Sequence, residues 1–167
     1  IVVGDLIDVV GMDDSTLVHR DGRENFARIV RRLPRDTTLR RTADDADPVE
    51  RVIVANADQL AVVVATTHPQ PRTGLIDRAL IAAFDAGITP LLILTKTDLA
   101  PATELMALYE PLGLPVVEVT NKEVTTHVRG LFAGHRTVLI GHSGVGHSPM
   151  ANALVPDAER TAGGGSG

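Results

Sequence analysis

The chain has 167 residues, 44% apolar and 22% charged, with a formal net charge of −5 and no cysteine. That apolar content excludes wholesale disorder, the acidic balance argues against DNA or any protein-wide nucleic-acid footprint, and the missing cysteine excludes disulfides and Cys-based zinc sites. Apolar runs stop well short of the ~20 residues of a membrane helix, and no signal peptide opens the sequence, so a soluble, cytoplasmic protein with no membrane partner is expected. Phe26, Phe84, Tyr109 and Phe132 are the whole aromatic complement, which leaves the core to Val, Ile, Leu and Ala.

Residues 1–42 read as short strands: Leu6 to Val10, a weaker Thr16 to His19, and Phe26 to Arg32 with alternating apolar positions. Turn signals at Gly11–Asp14 and Asp21-Gly22 separate them, and strands of this kind suggest a small all-β barrel of the OB type. Residues 43–48 lie in an acidic, apolar-poor stretch, Thr42 to Pro48, which reads as a linker.

From residue 49 to 160 the pattern changes. Val52 to Ala55 and Leu60 to Ala65 are near-continuous β-branched runs, as expected of strands covered on both faces. Arg72 to Ala86 has helical spacing, with Leu75, Ala79, Ala82 and Ala83 on one stripe and Gly87 closing it. Then follow a strand at Pro90 to Leu94, a helix at Pro101 to Tyr109, a strand at Pro115 to Val119, a helix at Val124 to Ala133, a strand at Thr137 to Ile140 and a helix at Ser148 to Leu154. This alternation specifies an α/β domain with a parallel sheet. Residues 161–167, rich in Gly and Ser, read as a flexible tail. Both ends look cut, so the α/β domain is expected to be incomplete at its C-terminus.

Two nucleotide-site fragments lie in that domain in inverted order. Thr95-Lys96-Thr97-Asp98 follows an apolar strand and reads as a guanine-recognition tetrad. An Asp there accepts two hydrogen bonds from the guanine edge, while the Lys stem covers the base. The competing reading makes Asp98 a helix cap. About 40 residues later, Gly141-His142-Ser143-Gly144-Val145-Gly146-His147-Ser148 reads as a phosphate-binding loop. Its glycines let successive N–H groups converge on an anion at the start of a helix. The competing reading is a Gly-rich turn with no ligand.

The loop departs from its pattern twice. His147 stands where a lysine is expected, and imidazole is shorter than the lysine stem and mostly neutral at pH 7. Pro149 follows Ser148 and removes a backbone N–H. Ser148 keeps the hydroxyl that serves as a magnesium ligand. Restoring lysine with His147→Lys together with Pro149→Ser is expected to strengthen nucleotide binding. Thr120 and Asn121 sit in the loop where a further base contact is expected. His19, His68, His127 and His135 show no metal-ligand spacing.

With these motifs the chain resembles the circularly permuted, ribosome small-subunit-dependent GTPases, the RsgA family. The likeness also rests on Gly4-Asp5, Leu33-Pro34-Arg35 with Arg40, Ala55 to Gln59, and Asn152 to Pro156. It implies an OB-fold barrel followed by a circularly permuted P-loop GTPase, binding GTP or GDP with Mg2+ and hydrolysing GTP to GDP and phosphate. The partners it implies are the small ribosomal subunit and its rRNA, in late subunit maturation. It also implies a zinc-binding domain at the carboxyl end, for which this chain has no cysteine. No Asp-x-x-Gly element follows the phosphate loop, and no residue is assigned a catalytic role.

Arg23, Arg28, Arg31, Arg32, Arg35, Arg40 and Arg41 crowd the barrel segment, opposed locally by Glu24 and Asp36. Phosphate contacts dominate nucleic-acid affinity, so these arginines are the candidate rRNA contacts. The competing reading is a solvated face with scattered salt bridges. Three functions are therefore carried forward: a guanine-nucleotide switch on the ribosomal subunit, an rRNA-binding module with a degenerate, non-hydrolysing nucleotide site, and a P-loop ATPase.

Overall fold

The computed structural model describes residues 1–11, 27–44, 47–120, 126–146, 150–151 and 154, with backbone alone for 41–44 and 47–50. The expected strand at Thr16 to His19, together with Arg23, Asn121, His147, Ser148 and Pro149, lies outside the described residues. The chain divides into two compact units, Ile1–Asn56 and Ala57–Gly167.

The first unit holds β1 (Ile7–Val10), β2 (Arg28–Arg32), β3 (Thr38–Asp44) and β4 (Asp47–Ala55). β1 pairs with β2 and β3 with β4, both antiparallel, each pair with an irregular register that bends the ribbon. The predicted linker at 43–48 is corrected here. Residues up to Asp44 and from Asp47 belong to paired strands, with Asp44 opposite Asp47. The Asp- and Pro-rich composition that reads as a linker belongs in part to the ends of two paired strands. Val52 to Ala55 also departs from expectation. Arg51 and Ile53 are exposed while Val52 and Val54 are half-buried, so one face of β4 meets solvent.

Polar clamps hold this unit. Arg35 donates to both carboxylate oxygens of Asp5, at 2.6 and 2.8 Å, and the Asp5 side chain is fully covered. The Arg35 hydrogen bonds, against the opposing effect of burial, hold the Asp5 carboxyl far below the usual carboxylate range, with help from the Val2 N–H. Asn56, in the left-handed region at φ 57°, accepts from the Asp36 N–H and donates to the Gly4 carbonyl. Gly4 itself has φ 88°, and a Cβ there would stand 1.9 Å from the Ala55 carbonyl oxygen.

The second unit is a four-stranded parallel sheet in the order β7-β6-β5-β8, made of β5 (Gln59–Ala65), β6 (Thr89–Thr95), β7 (Val116–Val119) and β8 (Thr137–Gly141). All seven residues of β5 are buried, as are six of the seven in β6, which matches strands covered on both faces. Alternation of side chains sends Ala61, Val63 and Ala65 with Leu91 and Ile93 to one face. There they meet Val128 of α3 (Thr126–Phe132), together with Val145 and Met150.

Helix α1 (Thr73–Asp85) contacts β5 and β6 but adds nothing to that cluster, so it covers the opposite face. Its buried stripe is Ile76, Ala79, Leu80 and Ala83, with Gly87 in the left-handed conformation just beyond its end. Helix α2 (Thr103–Tyr109) ties to α1 where the Tyr109 hydroxyl donates to Asp77 at 2.9 Å. Burial first, and then this bond to a carboxylate, push the Tyr109 hydroxyl pKa well above its ordinary value. Among the described residues no helix is long and apolar enough to cross a membrane.

Candidate functional site

Parallel strands direct all their carboxyl ends to one edge of the sheet, where open α/β folds bind ligands. Thr95 ends β6 and Gly141 ends β8, with β5 between them: Ala65 pairs with Thr95, and Val63 with Gly141. The two motifs therefore follow strands that are not adjacent. They stand two strand spacings apart, about 10 Å, a gap that a nucleoside with its ribose can bridge.

The phosphate loop is anchored from below. Val145 is 3% exposed and sits in the apolar cluster beneath the sheet edge, which fixes the loop's backbone while Ser143 and Gly144 stay exposed. Gly144 and Gly146 have φ of 84° and 103°. A Cβ at Gly144 would meet only Pro69, at 3.8 Å, and one at Gly146 would meet nothing within 4 Å. The glycines are thus required for conformation and not for space. The Met150 N–H donates to Gly146, opening the helical segment that contains Met150, Ala151 and Leu154.

The tetrad is held at three points. The Thr95 hydroxyl donates to the Val145 carbonyl at 2.7 Å, and both groups are buried. The Thr66 hydroxyl donates to the Lys96 carbonyl at 2.9 Å, while the Thr66 N–H donates to the Thr95 carbonyl. Lys96 adopts φ 60° and its ammonium donates to the His68 carbonyl. The Leu99 N–H closes the turn onto the Lys96 carbonyl. Asp98 is exposed beside this turn, and Thr97 Oγ1 is buried without a hydrogen-bond partner.

Other candidates fare differently. Thr120 follows β7 at the same sheet edge and is exposed. His142 is exposed at the start of the phosphate loop. Arg31 is paired with Asp8 at 2.6 Å and Arg35 with Asp5, so the arginines are opposed by two distant acids in addition to Glu24 and Asp36. Arg28, Arg32 and Arg40 are exposed, and the Arg41 side chain lies outside the description. At the opposite end of the sheet Asp58 accepts from the Arg136 N–H at 3.1 Å and pairs with His135 at 3.0 Å. Burial acts to raise the Asp58 carboxyl, but these partners together outweigh it and hold its pKa below the usual value. Among the described residues no group of three or more His, Asp or Glu could hold a metal ion.

A family model described as the RsgA GTPase matches residues 32–166. The chain belongs to the RsgA GTPase family. Proteins named small ribosomal subunit biogenesis GTPase RsgA from Pseudomonas syringae pv. syringae (strain B728a) and Pseudomonas aeruginosa (strain UCBPP-PA14) are 41% and 39% identical to it over 155 residues. The match covers 88% of this chain in both cases, and 44% and 45% of the two relatives, so the chain spans under half of their length. Among solved structures, YjeQ from Thermotoga maritima superposes with a TM-score of 0.67 at 24% identity, covering 94% of this chain and 52% of that one. YloQ, described as a circularly permuted GTPase, gives 0.64 at 25% identity and covers 93% and 50%.

The inverted motif order is thus the permuted GTPase fold, and the RsgA resemblance read from the motifs holds. What motif reading misses in this RsgA-family chain is the bond from Thr95 to Val145, which joins residues 50 apart. A threonine opening the tetrad is the only hint of it in the sequence.

Proposed function

We propose that this chain is the nucleotide-binding part of a GTPase that acts in maturation of the small ribosomal subunit, in the cytoplasm. The observation that carries the reading is the buried hydrogen bond from Thr95 to Val145. It ties the tetrad directly to the glycine-rich loop, which supports reading the two motifs as one site. Asp98 accepts from the N1–H and 2-amino group of guanine, and the Lys96 stem covers the base. Backbone N–H groups of the Gly144–Gly146 turn hold the phosphates. Water then attacks the γ-phosphorus, and the bond to the β-phosphate oxygen breaks to leave GDP and inorganic phosphate. Ser148 is the hydroxyl that the motif would offer to magnesium, which would supply charge neutralisation for the phosphates; an oxygen donor suits such a hard cation.

The first unit, in this reading, is the OB-type barrel that docks on rRNA. Exposed Arg28 and Arg32 lead the phosphate contacts, with Arg40 and Arg41 following in the sequence; Arg31 and Arg35 have acidic partners. The scarcity of aromatics fits contacts to a folded RNA backbone better than base stacking. The second reading, an rRNA-binding module with a degenerate site, is favoured by His147 and Pro149. The P-loop ATPase is disfavoured by the tetrad's attachment to the phosphate loop.

Calorimetric titration with GDP and with ADP, in magnesium, separates the three. Binding of GDP alone is expected. Binding of both nucleotides equally would select the ATPase, and binding of neither the degenerate module.

A further inference from the structure

Resting on the reading of Gly141 to Ser148 as a phosphate loop, we propose that Arg72 is a phosphate-binding cation of this site, standing in for the lysine absent at His147. The loop that leaves β5, residues 66–72, lies against the phosphate loop: Pro69 Cδ is the nearest atom to the position a Cβ would occupy on Gly144. Arg72, Gln70 and Pro69 line a shallow, half-open cleft together with His142 and Val145 of the phosphate loop. The remaining lining is apolar, and among the described residues no carboxylate lines the cleft. An anion entering it meets Arg72 and His142 and no opposing acid.

Arg72 is also uncommitted. It stands at the N-cap of α1 in an extended conformation (φ −113°, ψ 94°) and makes no side-chain capping bond. It is exposed and has no acidic partner among the described residues, whereas Arg31, Arg35 and Arg136 are each paired with an aspartate. An unpaired guanidinium beside an N–H-rich turn has the chemistry for a terminal phosphate. It is always charged and planar, and its forked donors match two phosphate oxygens at once. Lys96 cannot take this role while its ammonium is bound at the His68 carbonyl.

The test is calorimetry of the wild-type chain, Arg72→Ala and Arg72→Lys with guanosine and with GDP in magnesium. Arg72→Ala is expected to weaken GDP binding by about tenfold to a hundredfold, the range of a charge-assisted hydrogen bond, and to leave guanosine unchanged. Arg72→Lys is expected to fall between. Unchanged GDP affinity in Arg72→Ala, against a wild type that binds GDP, would overturn the role of Arg72 and leave the phosphate-loop reading standing. Equal weakening of guanosine and GDP would overturn it as well, because it would mark a merely structural residue. Failure of the wild type to bind GDP would overturn both.

Discussion

The two units of this chain are held by opposite means. In the second, β5 and β6 are almost completely removed from water, and Leu60, Val62, Leu92, Ile93 and Leu94 are each 0% exposed. In the first, all of β2 is exposed, including Ile29 at 46% and Val30 at 53%, while the covered groups include the charged Asp5 and the amide of Asn56. Apolar burial on both sides of a parallel sheet gives a stiff platform whose carboxyl edge can present loops in fixed relation. Polar clamps across short ribbons specify geometry at a few points and leave the strand faces available.

Substitutions can break or sharpen this contrast. The largest effect is expected from Leu92→Ala, which empties a fully buried position in β6 and should cost about 2–5 kcal/mol in chemical denaturation. Amide exchange should then rise across β5 to β8. Gly4→Ala comes next. Its Cβ collides with the Ala55 carbonyl at a positive φ, a change expected to destabilise by more than ~1 kcal/mol, with exchange rising in β3 and β4. Asp5→Asn should loosen β1 and β2 at neutral pH. The Asp5 pKa is depressed in the folded state, so the pair's contribution is fully present above the ordinary carboxylate range and is lost as pH falls. Stability of the variant's first unit should therefore be lower at neutral pH and flatter on acidification. His135→Ala should have the smallest effect, no more than about 1 kcal/mol, because its pair with Asp58 is solvent-screened.

Much of the platform is legible in the sequence because its causes are local. Runs such as Leu60 to Ala65 and Leu91 to Leu94 can be buried only in a covered sheet, and each motif follows directly on its strand. The first unit is less legible because its causes are distant. Arg35 finds Asp5 across 30 residues, and nothing in a window around either residue announces the other. The segment that ends β3 and begins β4 carries the same Asp and Pro signals as a linker. Composition cannot separate them, since the difference lies in which strands pair across it. The site divides the same way. The tetrad and the glycines are visible as motifs, whereas the bond from Thr95 to Val145, and the placing of Arg72 in one cleft with His142 and Val145, depend on which loops the parallel sheet brings to one edge.

The central claim is that Asp98 reads guanine at that edge. Asp98→Asn replaces one acceptor oxygen by a donor, which mismatches the 2-amino group of guanine and suits the 2-carbonyl of xanthine. Calorimetry of this variant with GDP and with xanthosine diphosphate is the direct test. The account predicts that GDP binding is lost and xanthosine diphosphate binding gained; unchanged preference for GDP would contradict it.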